Sequence, residues 1–182
     1  MTSKTLLLIA CSCLAALRVP CAAESPKPDA APVIPDSVKV PLTESLSFEA
    51  KAKGFQIYEC RAKKDDPAKF EWVFTGPLAD LFDEEGRKMG RHYAGPTWEW
   101  NDGSKVMGEV KGKAEAKEAG AVPWLLLAVK THDGSGVFSA VTYIQRVNTV
   151  GGKAPAECDE KSAGKEFRAP YSAVYLFYVH KG

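Results

Sequence analysis

The sequence predicts an all-β fold, a single antiparallel β-sandwich or barrel with one disulfide. Three observations predict it: apolar and polar residues alternate in short runs, turn signals rich in glycine and proline separate those runs, and helical periodicity is scarce. Many short strands at regular spacing are typical of sandwiches and barrels. At 182 residues, the chain is long enough for one domain with a hydrophobic core and too short to favour two.

Residues 1–23 have the pattern of a secretory signal peptide. Lys4 supplies the positive start, residues 5–17 form an apolar run, and small residues lead up to a cleavage site near Ala23. We therefore expect a secreted or periplasmic protein. A lipoprotein-like box ending at Cys11 is less favoured, because few apolar residues precede that cysteine. The apolar run is too short to span a membrane, and we expect no transmembrane segment in the mature chain.

The charge balance argues against a nucleic-acid partner. Two of the 24 basic residues and none of the 23 acidic ones lie in residues 1–23, so the net charge falls from +1 to −1 on cleavage. A nucleic-acid-binding domain needs a basic face, which a near-neutral chain does not favour.

Cys60 and Cys158 are the two cysteines that remain after cleavage. In an oxidising compartment, we predict that they form a disulfide. The bond would close a loop of about a hundred residues, which is worth on the order of 4 kcal/mol in loop-closure entropy. It would pin a predicted loop to a predicted strand. A catalytic thiol is disfavoured, since neither cysteine has a histidine beside it in the sequence.

The mature chain divides into a Pro-rich linker over residues 24–36 and one β-rich domain over residues 37–182. Strands are predicted at residues 54–61, 70–74, 97–100, 105–110, 123–129, 137–147 and 171–179. Three segments are ambiguous: residues 37–53, residues 77–82 (helical turn or strand) and residues 111–120 (short helix or strand extension). Residues 150–170 read as a long loop that carries Cys158.

The richest segment is the predicted hairpin from His92 to Gly103. Gly95 and Pro96 indicate a chain reversal, and Asn101-Asp102-Gly103 indicates a tight turn. In the strand between them, Trp98 and Trp100 share one face, with Thr97 and Glu99 on the other. Two tryptophans on one strand face more often pack in a core than contact a ligand. The alternative is an open aromatic surface.

The sequence is compatible with three functions, of which a non-catalytic binding module is the most favoured. In it, aromatic rings stack on a glycan or a small planar ligand, and polar side chains add hydrogen bonds. The aromatic candidates are Tyr93, Trp98, Trp100 and Trp124, and the polar candidates are Glu99, Asp102, Gln145 and Arg146. The alternatives are a structural cell-envelope protein and a hydrolase of an extracellular polymer.

An enzyme is the least favoured of the three, because the familiar hydrolase and nucleotide-binding motifs are missing. If the protein is a hydrolase, His92 and Glu99 are the best acid/base candidates, with Asp102 next. No cofactor is expected. No metal site is predicted either, since His92, His132 and His180 lie far apart in the sequence.

Six motifs follow one another along the mature chain. They are G-F-Q-I-Y-E-C (54–60), G-R-H-Y-A-G-P-T-W-E (90–99), D-G-S-K-V-M-G (102–108), V-P-W-L-L-L (122–127), V-T-Y-I-Q-R-V-N-T-V-G-G (141–152) and P-Y-S-A-V-Y-L-F-Y (170–178). Together they resemble the domain of unknown function 3455 family, a group of exported bacterial and fungal proteins. The resemblance covers most of the mature chain and implies one exported domain. It supplies no activity.

Overall fold

The computed structural model describes residues 33–182. The expected signal peptide, its cleavage site near Ala23, the alternative anchor at Cys11 and most of the linker at residues 24–36 lie outside the described residues. Among residues 33–182, no helix is long and apolar enough to cross a membrane.

Eight antiparallel strands form the domain, which confirms the predicted all-β class, and the architecture is a barrel. Each strand pairs with the next, and the last pairs with the first, which closes the sheet. The strands are β1 (Glu44–Ala62), β2 (Phe70–Phe82), β3 (Lys88–Tyr93), β4 (Thr97–Trp100), β5 (Lys105–Ala114), β6 (Trp124–Asp133), β7 (Val141–Gly151) and β8 (Glu166–His180). Short 3-10 helices lie at Asp36–Val38 and Glu160–Ser162.

Large and small side chains alternate inside the barrel. Across the β1–β8 pair, Phe48 lies opposite Phe177, and Ala50 lies opposite Tyr175. Ala50, Tyr175 and Phe177 are buried in one core cluster, and Phe48 packs against it. A barrel of eight strands has an interior just wide enough for side chains to fill or to hold one small ligand.

An aromatic cluster fills one end of the barrel. Phe48 stacks on Phe177 with ring centroids 4.6 Å apart, and Trp100 packs edge-on against Phe48 at 5.5 Å. Phe138 completes the cluster, with its ring 5.0 Å from that of Phe177. Because Phe138 is fully buried and comes from the β6–β7 loop, this loop closes the end of the barrel.

The buried position of Phe138 also explains a boundary that was predicted wrongly. The sequence predicts a strand over residues 137–147, but β7 begins at Val141, because residues 137–140 form a turn that points Phe138 inward. β7 then continues to Gly151 and β8 starts at Glu166, so the loop predicted over residues 150–170 is shorter at both ends. The ambiguous segments contain strand at residues 44–53, 77–82 and 111–114, whereas residues 37–43 and 115–120 lie outside the strands.

The 3-10 helix Asp36–Val38 packs on the outer face of the sheet. The Gln145 side chain on β7 donates from Nε2 to the Val38 carbonyl oxygen at 2.5 Å. Gly112 on β5 allows a close approach, because a Cβ there would lie 1.8 Å from the Ser37 carbonyl oxygen. Val38 is fully buried as a result.

The predicted disulfide is confirmed. Cys60 on β1 is bonded to Cys158 in the β7–β8 loop, with the two Cα atoms 6.1 Å apart. The loop is also held by Trp72, whose indole N–H donates to the Glu157 carbonyl oxygen at 3.0 Å. The β7–β8 loop is therefore fixed to the first two strands of the barrel.

Candidate functional site

A cavity of about 290 Å³ lies inside the barrel, at the end opposite the aromatic cluster. Every strand contributes to its wall, and half-exposed Phe74 and Val110 form part of its rim. The lining residues are Gln56, Phe74, Thr75, Gly76, Pro77, His92, Gly95, Pro96, Trp98, Val110, Leu125, Leu127, Arg146 and Tyr175. A second cavity of about 330 Å³ shares part of this wall, including Gln56 and Arg146.

Three aromatic rings pack together on one side of the cavity. His92 on β3 lies directly opposite Trp98 on β4, and the two rings stack with centroids 4.3 Å apart and planes 15° from parallel. Tyr175 on β8 meets both rings edge-on, at 5.0 Å from His92 and 5.4 Å from Trp98. All three are buried, so they form a fixed aromatic wall.

His92 is a neutral imidazole in this environment. Its Nδ1 lies 2.8 Å from the Thr97 carbonyl oxygen, and because a carbonyl only accepts, Nδ1 carries the proton and Nε2 is the bare acceptor. Burial lowers the pKa of His92 to about 3. The hydrogen bond to Thr97 opposes that shift, and the nearby positive charge of Arg146 adds to it. The ring therefore stays uncharged at neutral pH.

Arg146 brings a buried positive charge to the cavity wall. Its side chain is on the inner face of β7, and the residue is only 8% exposed. Nε and Nη2 donate to the Pro123 carbonyl oxygen at 3.2 and 2.8 Å. Within the described part of the chain, no carboxylate forms an ion pair with it. The guanidinium thus has a neutral partner and an uncompensated charge.

Two further donors lie in the cavity wall. The Nε2 atom of Gln56 and the Nε1 atom of Trp98 are buried, and neither makes a well-formed hydrogen bond within residues 33–182, although the Tyr171 hydroxyl lies near Gln56. Buried polar groups are nearly always paired, so donors beside a cavity are free to bind an acceptor that enters it. Together with Arg146, these groups make the polar part of the wall rich in donors.

The candidate residues of the central hairpin divide between the two faces of the sheet. Trp98 and Trp100 lie on the inner face, as their alternation predicts, but Trp98 lines the cavity and Trp100 packs in the closed end. Tyr93 and Glu99 lie on the outer face, where the Tyr93 hydroxyl donates to Glu99 at 2.8 Å and Arg91 forms an ion pair with the same carboxylate. The hydrogen bond from Tyr93 lowers the pKa of Glu99, and Arg91 adds to this effect.

The remaining polar candidates have structural partners. Asp102 accepts from the Ser104 hydroxyl at 2.6 Å and from the Val137 backbone N–H at 2.8 Å, so it joins two loops at the closed end. Gln145 lies on the outer face, where its Oε1 accepts from Tyr178 at 2.6 Å and its Nε2 donates to the 3-10 helix. Trp124 is buried outside the barrel lumen, beneath Lys117. Of the polar candidates, Arg146 alone lines the cavity.

The structure does not support His92 and Glu99 as an acid/base pair, because they lie on opposite faces of the sheet. His92 is opposite Trp98 inside the barrel, whereas Glu99 is opposite Arg91 outside it. No three His, Cys, Asp or Glu side chains among residues 33–182 converge in a way that could hold a metal ion.

Sequence reasoning missed Gln56 and Tyr175 as site residues. In β1, Phe55 is 38% exposed and Gln56 is 2% exposed, so the polar residue faces inward and its apolar neighbour faces outward. The alternation in β1 could have identified Gln56. It lies an even number of positions from the small residues Ala50 and Ala52, which face the lumen, so its side chain lies on the same face.

Comparisons with known proteins yield one match. A family model described as "Protein of unknown function (DUF3455)" matches residues 41–179, a span that contains every residue lining the cavity. No curated protein and no solved structure matches the chain.

Proposed function

The chain belongs to the DUF3455 family, whose description assigns no activity, and from its cavity we propose that it is a non-catalytic binding protein for a small planar ligand. The single observation that carries this proposal is the cavity itself, which lies inside the barrel and has apolar and aromatic walls with a few convergent polar groups. This combination is typical of small-molecule sites.

The size of the cavity favours a compact ligand over a glycan chain. At about 290 Å³, it has roughly twice the volume of the ~150 Å³ apolar cavity that holds one benzene molecule. One or two fused rings would fit. A sugar ring would also need many polar partners, whereas most of this wall is apolar.

Binding is favoured over polymer hydrolysis by the state of His92. A general acid or base works best when its pKa is near the working pH, and burial lowers the pKa of His92 to about 3. The aromatic cluster of Phe48, Phe138 and Phe177 also closes one end of the barrel, so a polymer has no through path.

We also propose that the protein acts outside the cytoplasm, in the periplasm or as a secreted protein. The disulfide between Cys60 and Cys158 supports an oxidising compartment. N-terminal sequencing of the mature protein tests this directly, since export with cleavage predicts a chain that begins just after Ala23.

The binding proposal is tested with a neutral planar dye, N-phenyl-1-naphthylamine, titrated into the disulfide-bonded protein. We expect dye fluorescence to rise and saturate with the native protein. Val110→Trp should weaken dye binding at least tenfold, because Val110 lies at the cavity rim. Met107→Trp is the matched control, since Met107 is on the same strand and similarly exposed (38% against 41%) but does not line the cavity.

Native dye binding that Val110→Trp abolishes and Met107→Trp leaves intact would support the cavity as the site. Equal dye binding by both variants would refute it. No binding to the native protein at saturating dye would favour the structural alternative, in which the aromatic wall serves only to stabilise the barrel.

A further inference from the structure

We propose that the ligand is a flat organic monocarboxylate, with its carboxylate bound by Arg146 and its apolar body against the wall formed by Trp98 and Tyr175. The inference rests on the proposed function, because it assigns the chemistry of the ligand in the same cavity.

The first argument is charge. Burying an ion is costly unless another charge compensates it, and Arg146 is 8% exposed, with the Pro123 carbonyl and the Tyr175 hydroxyl, both neutral, beside its guanidinium. The planar guanidinium fork matches a carboxylate in a two-point hydrogen-bonded pair, and its N–H groups not directed at Pro123 are available for that pair. A bound carboxylate would therefore supply the charge that the protein itself does not.

The second argument is the sign of the surrounding charges. No acidic side chain is among the described residues that line either cavity. The charged lining residues are Arg146 and, in the second cavity, Lys113. His92 adds no positive charge at neutral pH, as its pKa shows. One deeply buried cation suits a monoanion better than the double charge of a phosphate monoester.

The third argument is hydrogen-bond polarity. Two donors at the cavity, Gln56 Nε2 and Trp98 Nε1, lie beside the donors of Arg146, while His92 Nε2 supplies an acceptor in the same wall. An ionised carboxylate is acceptor-only, with two oxygens that together take several donors. An amine would be repelled by Arg146, and a neutral hydroxyl would leave the charge of Arg146 uncompensated.

The fourth argument concerns the body of the ligand. Trp98, Tyr175 and Leu127 give the cavity an apolar wall, and Phe74 and Val110 continue it to the rim, where they are 50% and 41% exposed. Gln56 and Arg146 line both cavities, so the polar groups lie where the two spaces meet. A flat acid can place its carboxylate there while its rings contact the apolar wall.

The test compares 2-naphthoate with 2-naphthamide, which has nearly the same shape and no charge, by displacement of N-phenyl-1-naphthylamine. We expect the native protein to bind the acid at least tenfold more tightly than the amide at pH 7. Arg146→Gln keeps a donor for the Pro123 carbonyl and should remove that preference. Lys113→Gln, which removes an exposed positive charge at the second cavity, should retain it.

Three outcomes would overturn the inference while leaving the proposed function intact. They are equal affinity for acid and amide in a protein that binds the dye, an acid preference that persists in Arg146→Gln, and tighter binding of 2-naphthyl phosphate than of 2-naphthoate. Absence of dye binding to the native protein is a separate result, because it refutes the proposed function itself. Dye binding by Arg146→Gln shows that the variant is still folded with an open cavity.

Discussion

Acidification from pH 7 to pH 5 should destabilise the barrel through His92. Burial lowers the pKa of His92 to about 3, against 6.5 for an unperturbed histidine. Between these two values the unfolded chain binds a proton that the folded chain does not, so falling pH favours unfolding. The stability that comes from keeping His92 neutral is complete above about pH 6.5 and is lost progressively down to about pH 3.

The size of the effect follows from the two pKa values. Within that window, stability falls by about 1.4 kcal/mol for each pH unit. Because the window opens near pH 6.5, the step from pH 7 to pH 5 should cost about 2 kcal/mol. For a domain with a urea dependence of about 2 kcal/mol per molar, the unfolding midpoint should fall by roughly 1 M.

Urea unfolding of the oxidised protein, followed by tryptophan fluorescence at pH 7, 6 and 5, measures this directly. The carboxylates with lowered pKa values, such as Glu44, Glu99 and Asp102, lose their contribution only at lower pH, so they do not confound this range. His92→Asn replaces the Nδ1–H donor to Thr97 with an amide donor that does not titrate, and it should abolish the slope.

The exposed His132 is the matched control. His132→Gln should keep the slope of the native protein, because His132 lies outside the barrel core. A slope that is the same in His92→Asn as in the native protein, or no change in midpoint between pH 7 and pH 5, would refute the reasoning.

Two further predictions concern how the barrel is held together. Replacing Cys60 and Cys158 by serine opens a loop closed across a sequence separation of 98 residues. The free energy of unfolding should fall by about 4 kcal/mol and the melting temperature by roughly 8–16 °C. A fall of less than about 1 kcal/mol would contradict this prediction, and dithiothreitol should not change the melting temperature of the variant. Gly112→Ala places a methyl group against the Ser37 carbonyl, so the free energy of unfolding, measured with urea, should fall by about 1–3 kcal/mol. The control is Lys111→Ala on the exposed side, whose free energy of unfolding should stay within about 0.5 kcal/mol of the native value. Equal stability of these two variants would show that the 3-10 helix is not held at that contact.

The features that sequence reasoning predicted well are those fixed by local chemistry. The turn signals at Gly95-Pro96 and Asn101-Asp102-Gly103 bound β4, and the alternation of Trp98 and Trp100 places both on one face, as the structure has them. The disulfide followed from the count of cysteines in the mature chain.

The sequence could not predict which face of each strand points into the barrel. Period-two alternation assigns residues to two faces but does not say which face is buried when both carry apolar groups. Phe55 and Gln56 show this, because the polar residue faces the lumen. Gln145 and Arg146 are adjacent, so alternation places them on opposite faces, and tertiary packing decides that Arg146 faces the cavity and Gln145 the outer 3-10 helix.

The ring closure between β1 and β8 also has a consequence for how the chain folds. The pairs across this closure run from Glu44 opposite His180 to Glu59 opposite Glu166. The β1–β8 pairing therefore cannot form until the last segment of the chain is present. Pairings this distant in sequence form slowly, since the entropy of closing the long loop is lost before any contact is gained. Until β8 arrives, β1 and β7 each present a free edge that can pair with another chain. Truncation within β8 should therefore leave an aggregation-prone sheet rather than a smaller barrel. For the native chain, misassembly is most favoured in the period before β1 and β8 have paired.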